Sequence, residues 1–158
     1  MDRSPEAERT VIRFNKQDEP ADFNEQVRKP GRAWLATNTG PLKKAPDYWN
    51  RYRIEVWSAF RHLCAYTVMY VPENGGHIDH FISRDEKKDH LYEWDNYRFS
   101  AGGFNSSKQH LRRHEILDPL EVEDGWFELV LPSLELVVTT ACPPNLRTQA
   151  KTMCERLH

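Results

Sequence analysis

Cysteine is scarce in this sequence of 158 residues, which has three cysteines and no CxxC pair. Such an odd, widely spaced set does not build a disulfide framework and favours a reducing compartment, so we expect a cytoplasmic protein. No apolar run approaches the roughly 20 residues that a membrane-spanning helix needs. The start of the chain does not resemble a signal peptide either. A membrane protein is therefore not expected.

An excess of one charge is also lacking, since the formal net charge is −2. The chain as a whole therefore has no attraction for nucleic acid, and any such contact must come from a local basic patch. Aromatic residues are plentiful, with five Trp, six Tyr and seven Phe. At this length we expect one aromatic-rich core in a single domain, 46–158, preceded by a partly flexible N-terminal extension, 1–45.

Periodicity and turn residues predict a mixed α+β fold. Apolar residues at helical spacing indicate a helix from Asp47 to about His62 and a last helix after Pro143. Alternation and flanking turn residues predict strands at 63–71, 77–81, 96–100, 126–131 and 134–138. A short helix near Asp22 is expected to break at Pro30-Gly31.

The stretch from 77 to 108 concentrates the residues that can carry chemistry. Asp79-His80 ends an apolar strand, Asn96 opens the next one, and Asn105 follows a glycine pair. Carboxylate and amide oxygens suit a hard cation such as Mg²⁺, and a neutral imidazole can activate water. Neighbouring side chains of a regular strand point to opposite faces. Asp79 and His80 can therefore converge on one phosphate only where the strand ends or twists.

This order of residues resembles the HNH (His-Me finger) nuclease motif, in which two strands and a helix wrap one divalent metal ion. The blocks IDHF (78–81), YEWDNY (92–97) and NSSK (105–108) are similar to those of bacterial defence-associated and retron-associated HNH proteins. The resemblance implies a ββα-metal core at about 76–114, with flanking N- and C-terminal helices and extra strands.

The resemblance also implies a role for each motif residue. His80 activates the attacking water, Asp79 and Asn105 hold one divalent ion (Mg²⁺ first, with Mn²⁺ as an alternative), and Asn96 fixes the loop that orients His80. The implied activity is hydrolysis of phosphodiester bonds in DNA. Because related proteins accompany defence ATPases, a partner ATPase in phage defence is also implied.

Basic residues lie close to the motif. Asn105, Lys108 and Arg112 stand three and seven residues apart, so they share one face of a predicted short helix. Arg98 lies on the adjoining strand. We therefore predict that Arg98, Lys108, Arg112 and Arg113 contact the phosphate backbone of a nucleic acid, without reading its sequence.

One feature of the family is missing from this chain. Many HNH domains hold a structural zinc with two CxxC pairs, and here only Cys64 stands at such a position, with Thr67, Ala101 and Phe104 at the others. One thiolate cannot build a tetrahedral zinc site, so no structural zinc is expected. The loss keeps an alternative open, a catalytically degenerate HNH-like module that binds nucleic acid or protein. The sequence does not choose between DNA and RNA, a nick and a double-strand cut, or the oligomeric states.

Overall fold

The computed structural model describes residues 12–102, 111–131 and 133–156. Within them lie the α-helices α1 (Lys29–Thr37), α2 (Arg53–Ala59) and α3 (Arg147–Arg156) and the strands β1 (Gly76–His80), β2 (Tyr97–Ala101), β3 (Phe127–Val130) and β4 (Glu135–Val138). A π-helical turn, Asn24–Arg28, leads into α1, and a 3₁₀ turn, Tyr48–Tyr52, leads into α2. The predicted α+β class is confirmed.

The strands form two separate antiparallel hairpins. In the first, β1 pairs with β2 so that Asp79 lies opposite Arg98 and His80 opposite Tyr97. In the second, β3 pairs with β4, with Phe127 opposite Val138. All four strands lie within one or two residues of their predicted positions. The short helix predicted to carry Asn105 and Lys108 falls outside the described residues, so a ββα core stays a prediction.

The core is aromatic and includes residues from the predicted N-terminal extension. Phe23 and Val27 are fully buried together with Tyr92 and Phe99. The ring of Phe23 packs edge-on against Trp94 at 5.4 Å between centroids. Full burial of a large apolar side chain contributes about 1.5–3 kcal/mol. The segment before residue 45 therefore helps to hold the first hairpin in place.

The prediction that Pro30-Gly31 breaks a helix is wrong. α1 runs through both residues, with Pro30 in its first turn, where a missing N–H costs little. Gly31 is there because of packing. A Cβ at this position would lie 2.2 Å from Cγ of Tyr92, so only glycine lets the helix approach that ring.

The prediction of a strand at 63–71 is also wrong, because these residues form a turn. A single bridge, Leu63 to Tyr70, closes a tight turn in which the Val68 amide donates to the Cys64 carbonyl at 2.9 Å. The alternating Tyr66, Val68 and Tyr70 suggested one strand face, yet Tyr66 is buried while Tyr70 is 67% exposed. The turn is fixed to β2 by a bond from the Ala65 amide to the Phe99 carbonyl. It thereby brings Tyr66 next to Asp79.

Candidate active site

Asp79 lies in β1 with its side chain buried, at 7% exposure. The hydroxyl of Tyr66 donates to its Oδ2 at 2.5 Å, a short charge-assisted hydrogen bond. A carboxylate has about four acceptor sites, so this bond orients Asp79 without using up its capacity to bind a cation. Tyr66 was not among the predicted site residues, because only the folded turn brings it to Asp79.

The buried environment of Tyr66 raises the pKa of its hydroxyl. Burial and then the neighbouring Asp79 carboxylate hold the pKa of Tyr66 well above its usual value. Burial also raises the pKa of Tyr97, on β2. Both phenols therefore stay protonated in the folded chain at pH values where they ionise in the unfolded chain.

This predicts a loss of stability in alkali. In the unfolded chain a tyrosine loses its proton near pH ~10, so above that pH the unfolded state binds fewer protons and the free energy of unfolding falls as pH rises. Each such group contributes a slope of up to about 1.4 kcal/mol per pH unit. Urea titrations between pH 8 and 11.5 should show a shallower fall in Tyr66→Phe than in the wild type. Tyr97→Phe should show the same change, and an unchanged slope in both variants would contradict the assignment.

His80 is half-buried at the end of β1, and backbone and rings fix its imidazole. Its Nε2 lies 3.0 Å from the Leu91 carbonyl oxygen, so this nitrogen carries the hydrogen. In the neutral ring the lone pair is then on Nδ1, the atom that can take a proton from water. Trp49 and Tyr97 pack edge-on against the ring, with centroids at 4.7 and 5.2 Å.

The side chains of Asp79 and His80 diverge. β1 ends at His80, but pairing with β2 holds as far as His80 and Tyr97, so the two residues keep the alternation of a regular strand. Asp79 contacts Tyr66, whereas His80 contacts Leu91. A single phosphate can therefore meet both residues only across the end of the strand.

Asn96 is a buried residue that ties down the loop between the two strands. Its Nδ2 donates to the carbonyls of Ile82 at 3.0 Å and His90 at 2.9 Å, and its Oδ1 accepts from the Ile82 amide at 2.7 Å. The residue after His90 is Leu91, whose carbonyl holds His80. Asn96 could therefore orient His80 through the His90-Leu91 backbone, and this expected role stays a prediction.

Arg98 does not have the surroundings expected of a surface phosphate ligand. Its side chain is 4% exposed and forms a two-pronged ion pair with Asp118, at 2.8 and 2.5 Å. Its Nη1 also donates to the carbonyls of Asp95 and Tyr97. The guanidinium is buried and donates to Asp118 and to two backbone carbonyls, which favours a role in structural support, and its contact with nucleic acid stays a prediction.

The other predicted basic contacts divide into two groups. Lys108, like the predicted metal ligand Asn105, lies outside the described residues. Arg112 and Arg113 are exposed, but the backbone at Arg112 is extended, and its amide donates to the Glu115 carboxylate at 2.6 Å. The predicted helical face therefore does not reach Arg112, because a new 3₁₀ turn, Arg113–Glu115, begins there.

Cys64 is fully buried and packs against the end of β2. Its sulfur accepts a hydrogen bond from the Ala101 amide at 3.4 Å. Cys64 and Ala101, the positions at which many HNH domains carry zinc-binding cysteines, are thus in contact through one thiol and one backbone amide. Phe104, predicted to fill this space, lies outside the described residues.

The described residues include no cluster of three or more His, Cys, Asp or Glu side chains placed to hold a metal ion. The predicted pair, Asp79 and Asn105, contains only one residue of these four types, so it is too small to count as such a cluster. Its role as a metal site stays a hypothesis. Mg²⁺ binds readily through one or two carboxylates with several waters, so a hard-oxygen donor such as Asp79 fits it chemically.

Comparison with known proteins gives no relative: no family profile, no curated protein and no solved structure matches this chain. In the part of the chain that the structure describes, no helix is both long and apolar enough to cross a membrane.

Proposed function

We propose that this chain is a metal-dependent endonuclease of the HNH type that hydrolyses phosphodiester bonds of DNA. The observation that carries the proposal is the linked set of hydrogen bonds around the first hairpin. Asn96 holds the loop, the loop presents the Leu91 carbonyl, and that carbonyl fixes the His80 ring. These are the orienting contacts that a general base needs.

In this proposal each residue has a separate task. His80 takes the proton of the attacking water at Nδ1, and Leu91 keeps the ring in the required tautomer. Asp79, oriented by Tyr66, and Asn105 hold one divalent ion, Mg²⁺ or Mn²⁺, which supplies charge stabilisation at the phosphate and at the leaving oxygen. Arg112 and Arg113, both exposed, and Lys108 contact the phosphate backbone. We place the protein in the cytoplasm, with a partner ATPase in phage defence, and its three free cysteines fit a reducing compartment.

The test is nicking of supercoiled plasmid with Mg²⁺, Mn²⁺ or EDTA. Wild type should cut only with metal, and His80→Ala should lower the rate about 100-fold, the lower end of general-base effects. His77→Ala is the matched control, because this histidine is exposed on the same strand. Equal cutting by His80→Ala and the wild type would show that His80 is not the base.

A second candidate is a non-catalytic module of the same type that binds nucleic acid or protein. The divergence of Asp79 and His80 favours it, since a buried carboxylate bonded to Tyr66 can serve structure alone. Calorimetric titration with Mn²⁺ separates the candidates. The nuclease should bind the ion and lose it in Asp79→Asn, whereas the module should show no heat in either protein.

A further inference from the structure

A cleft of about 650 Å³ lies at the end of the first hairpin. Its apolar wall is formed by Phe81, Ile82, Ile116 and Leu146. His90, His114 and Gln149 supply polar groups along it. The volume lies in the range of ligand sites, roughly 300–1,000 Å³.

The cleft opens on the face of the hairpin that carries Asp79. Asp79 lies opposite Arg98 in the β1–β2 register, and the Arg98 guanidinium carbon lies 5.4 Å from the centre of the Phe81 ring. Asp79, Arg98 and Phe81 are therefore on one face. At about 3.4 Å per residue, Phe81 is ~7 Å beyond Asp79 along the strand. A ligand in the cleft would lie beside the strand end, where a phosphate can meet both Asp79 and His80.

Side-chain bonds connect the walls of this cleft. The Arg113 amide donates to the Glu86 carboxylate at 3.2 Å, which joins the 3₁₀ turn to the hairpin loop. Gln149 of α3 donates through Nε2 to the His114 carbonyl at 3.0 Å. The walls come from three separate segments, and these two hydrogen bonds link the segments to one another.

The described lining residues of the cleft carry two cationic and three anionic side chains. Asp118 pairs with Arg98, and the other charged lining residues are Arg113, Asp95 and Glu121. Asp95 pairs with Lys16 at 2.6 Å. The described lining residues therefore offer a phosphate no excess positive charge. A flat, neutral ring with donors and acceptors suits the site better, because the partly buried Ile82 and Leu146 can pack against its face while histidine and amide groups bind its edge.

We propose that the cleft binds one unstacked nucleobase of the substrate strand, next to the phosphate that is cut. The proposal rests on the proposed nuclease function and defines its substrate as single-stranded nucleic acid or a frayed strand, since a base within a duplex is not available for capture. Gln149 and His114 are then specificity residues that do not take part in the chemistry.

The test compares two labelled 15-mers by fluorescence anisotropy in EDTA, one of thymidylate and one with the same sugar–phosphate backbone but no bases. Wild type should bind the thymidylate strand at least about 10-fold more tightly, the size of one base-stacking contact. Gln149→Trp should fill the cleft and remove that preference. The matched control is Thr148→Trp, exposed and adjacent on α3, which should keep it.

A second variant, His114→Ala, controls for misfolding of Gln149→Trp, because His114 is exposed and its replacement should not disturb the fold. It should still reduce the preference for the thymidylate strand. Equal affinity of wild type for the two strands would overturn the proposal, as would tighter binding of a 15-base-pair duplex. Since EDTA excludes cleavage, a base preference without metal-dependent nicking would support the cleft and refute the nuclease. Metal-dependent nicking without a base preference would support the nuclease and refute the base-binding cleft.

Discussion

Replacing Arg98 with alanine is expected to lower the free energy of unfolding by about 3–5 kcal/mol, the cost of leaving one member of a buried ion pair alone. Asp118 would lose its ion-pair partner at 13% side-chain exposure. The carbonyls of Asp95 and Tyr97 would lose their shared donor. Urea denaturation followed by tryptophan fluorescence measures the change directly.

Two control variants test whether the loss of stability in Arg98→Ala comes from the buried ion pair. Arg32→Ala removes an arginine whose side chain is 64% exposed and which pairs with Glu93, so it should cost less than about 1 kcal/mol. The double variant Arg98→Met, Asp118→Asn removes both charges and should recover much of the lost stability. If Arg98→Ala weakened DNA binding while stability stayed unchanged, the original assignment to phosphate contact would stand.

Asn96→Asp is expected to have the second large effect, although it changes no more than an amide into a carboxylate. The new oxygen would face the carbonyls of Ile82 and His90, at the 3.0 and 2.9 Å now spanned by donated hydrogen bonds. Two lost bonds and the repulsion should cost about 3 kcal/mol or more at pH 7. His80 should also lose its orientation, so metal-dependent nicking should fall.

The pH dependence identifies the cause. The carbonyls disfavour the ionised carboxyl, so its pKa in the folded variant rises above the ~3.9 of the unfolded chain. Relative to the wild type, the variant should therefore be most stable in acid and lose stability as pH rises through the folded pKa. Asn74→Asp, at an exposed position, is the control and should be nearly neutral. A deficit of Asn96→Asp that did not vary with pH would contradict this account.

The strands of both hairpins were predictable because their signals are local. Alternation and a turn mark β3 and β4, and an apolar run after Gly75-Gly76 marks β1. The errors came from tertiary contacts that no local pattern carries. The pair Pro30-Gly31 has the sequence signal of a helix break, but Gly31 is needed for close contact with the Tyr92 ring. Tyr66 has the alternation of a strand, but it lies in a turn that is hydrogen-bonded to β2.

The same distinction holds for the candidate site. Motif order was enough to single out Asp79, His80 and Asn96. Their surroundings were not predictable, since Tyr66 and Asp118 come from distant segments and carry no motif of their own. Arg98 shows the risk most clearly, because a basic residue beside a motif has the same sequence signal whether it faces solvent or a buried carboxylate.

The burial of all three cysteines has a consequence for studying motion in this chain. Cys64 lies beside the first hairpin, Cys142 just before α3, and Cys154 within α3, and each is a free, buried thiol. Burial also raises the pKa of the Cys142 and Cys154 thiols, which makes them less reactive while the fold is closed. The rate at which a thiol reagent labels each residue therefore reports how often that part of the molecule opens, in the unmodified protein.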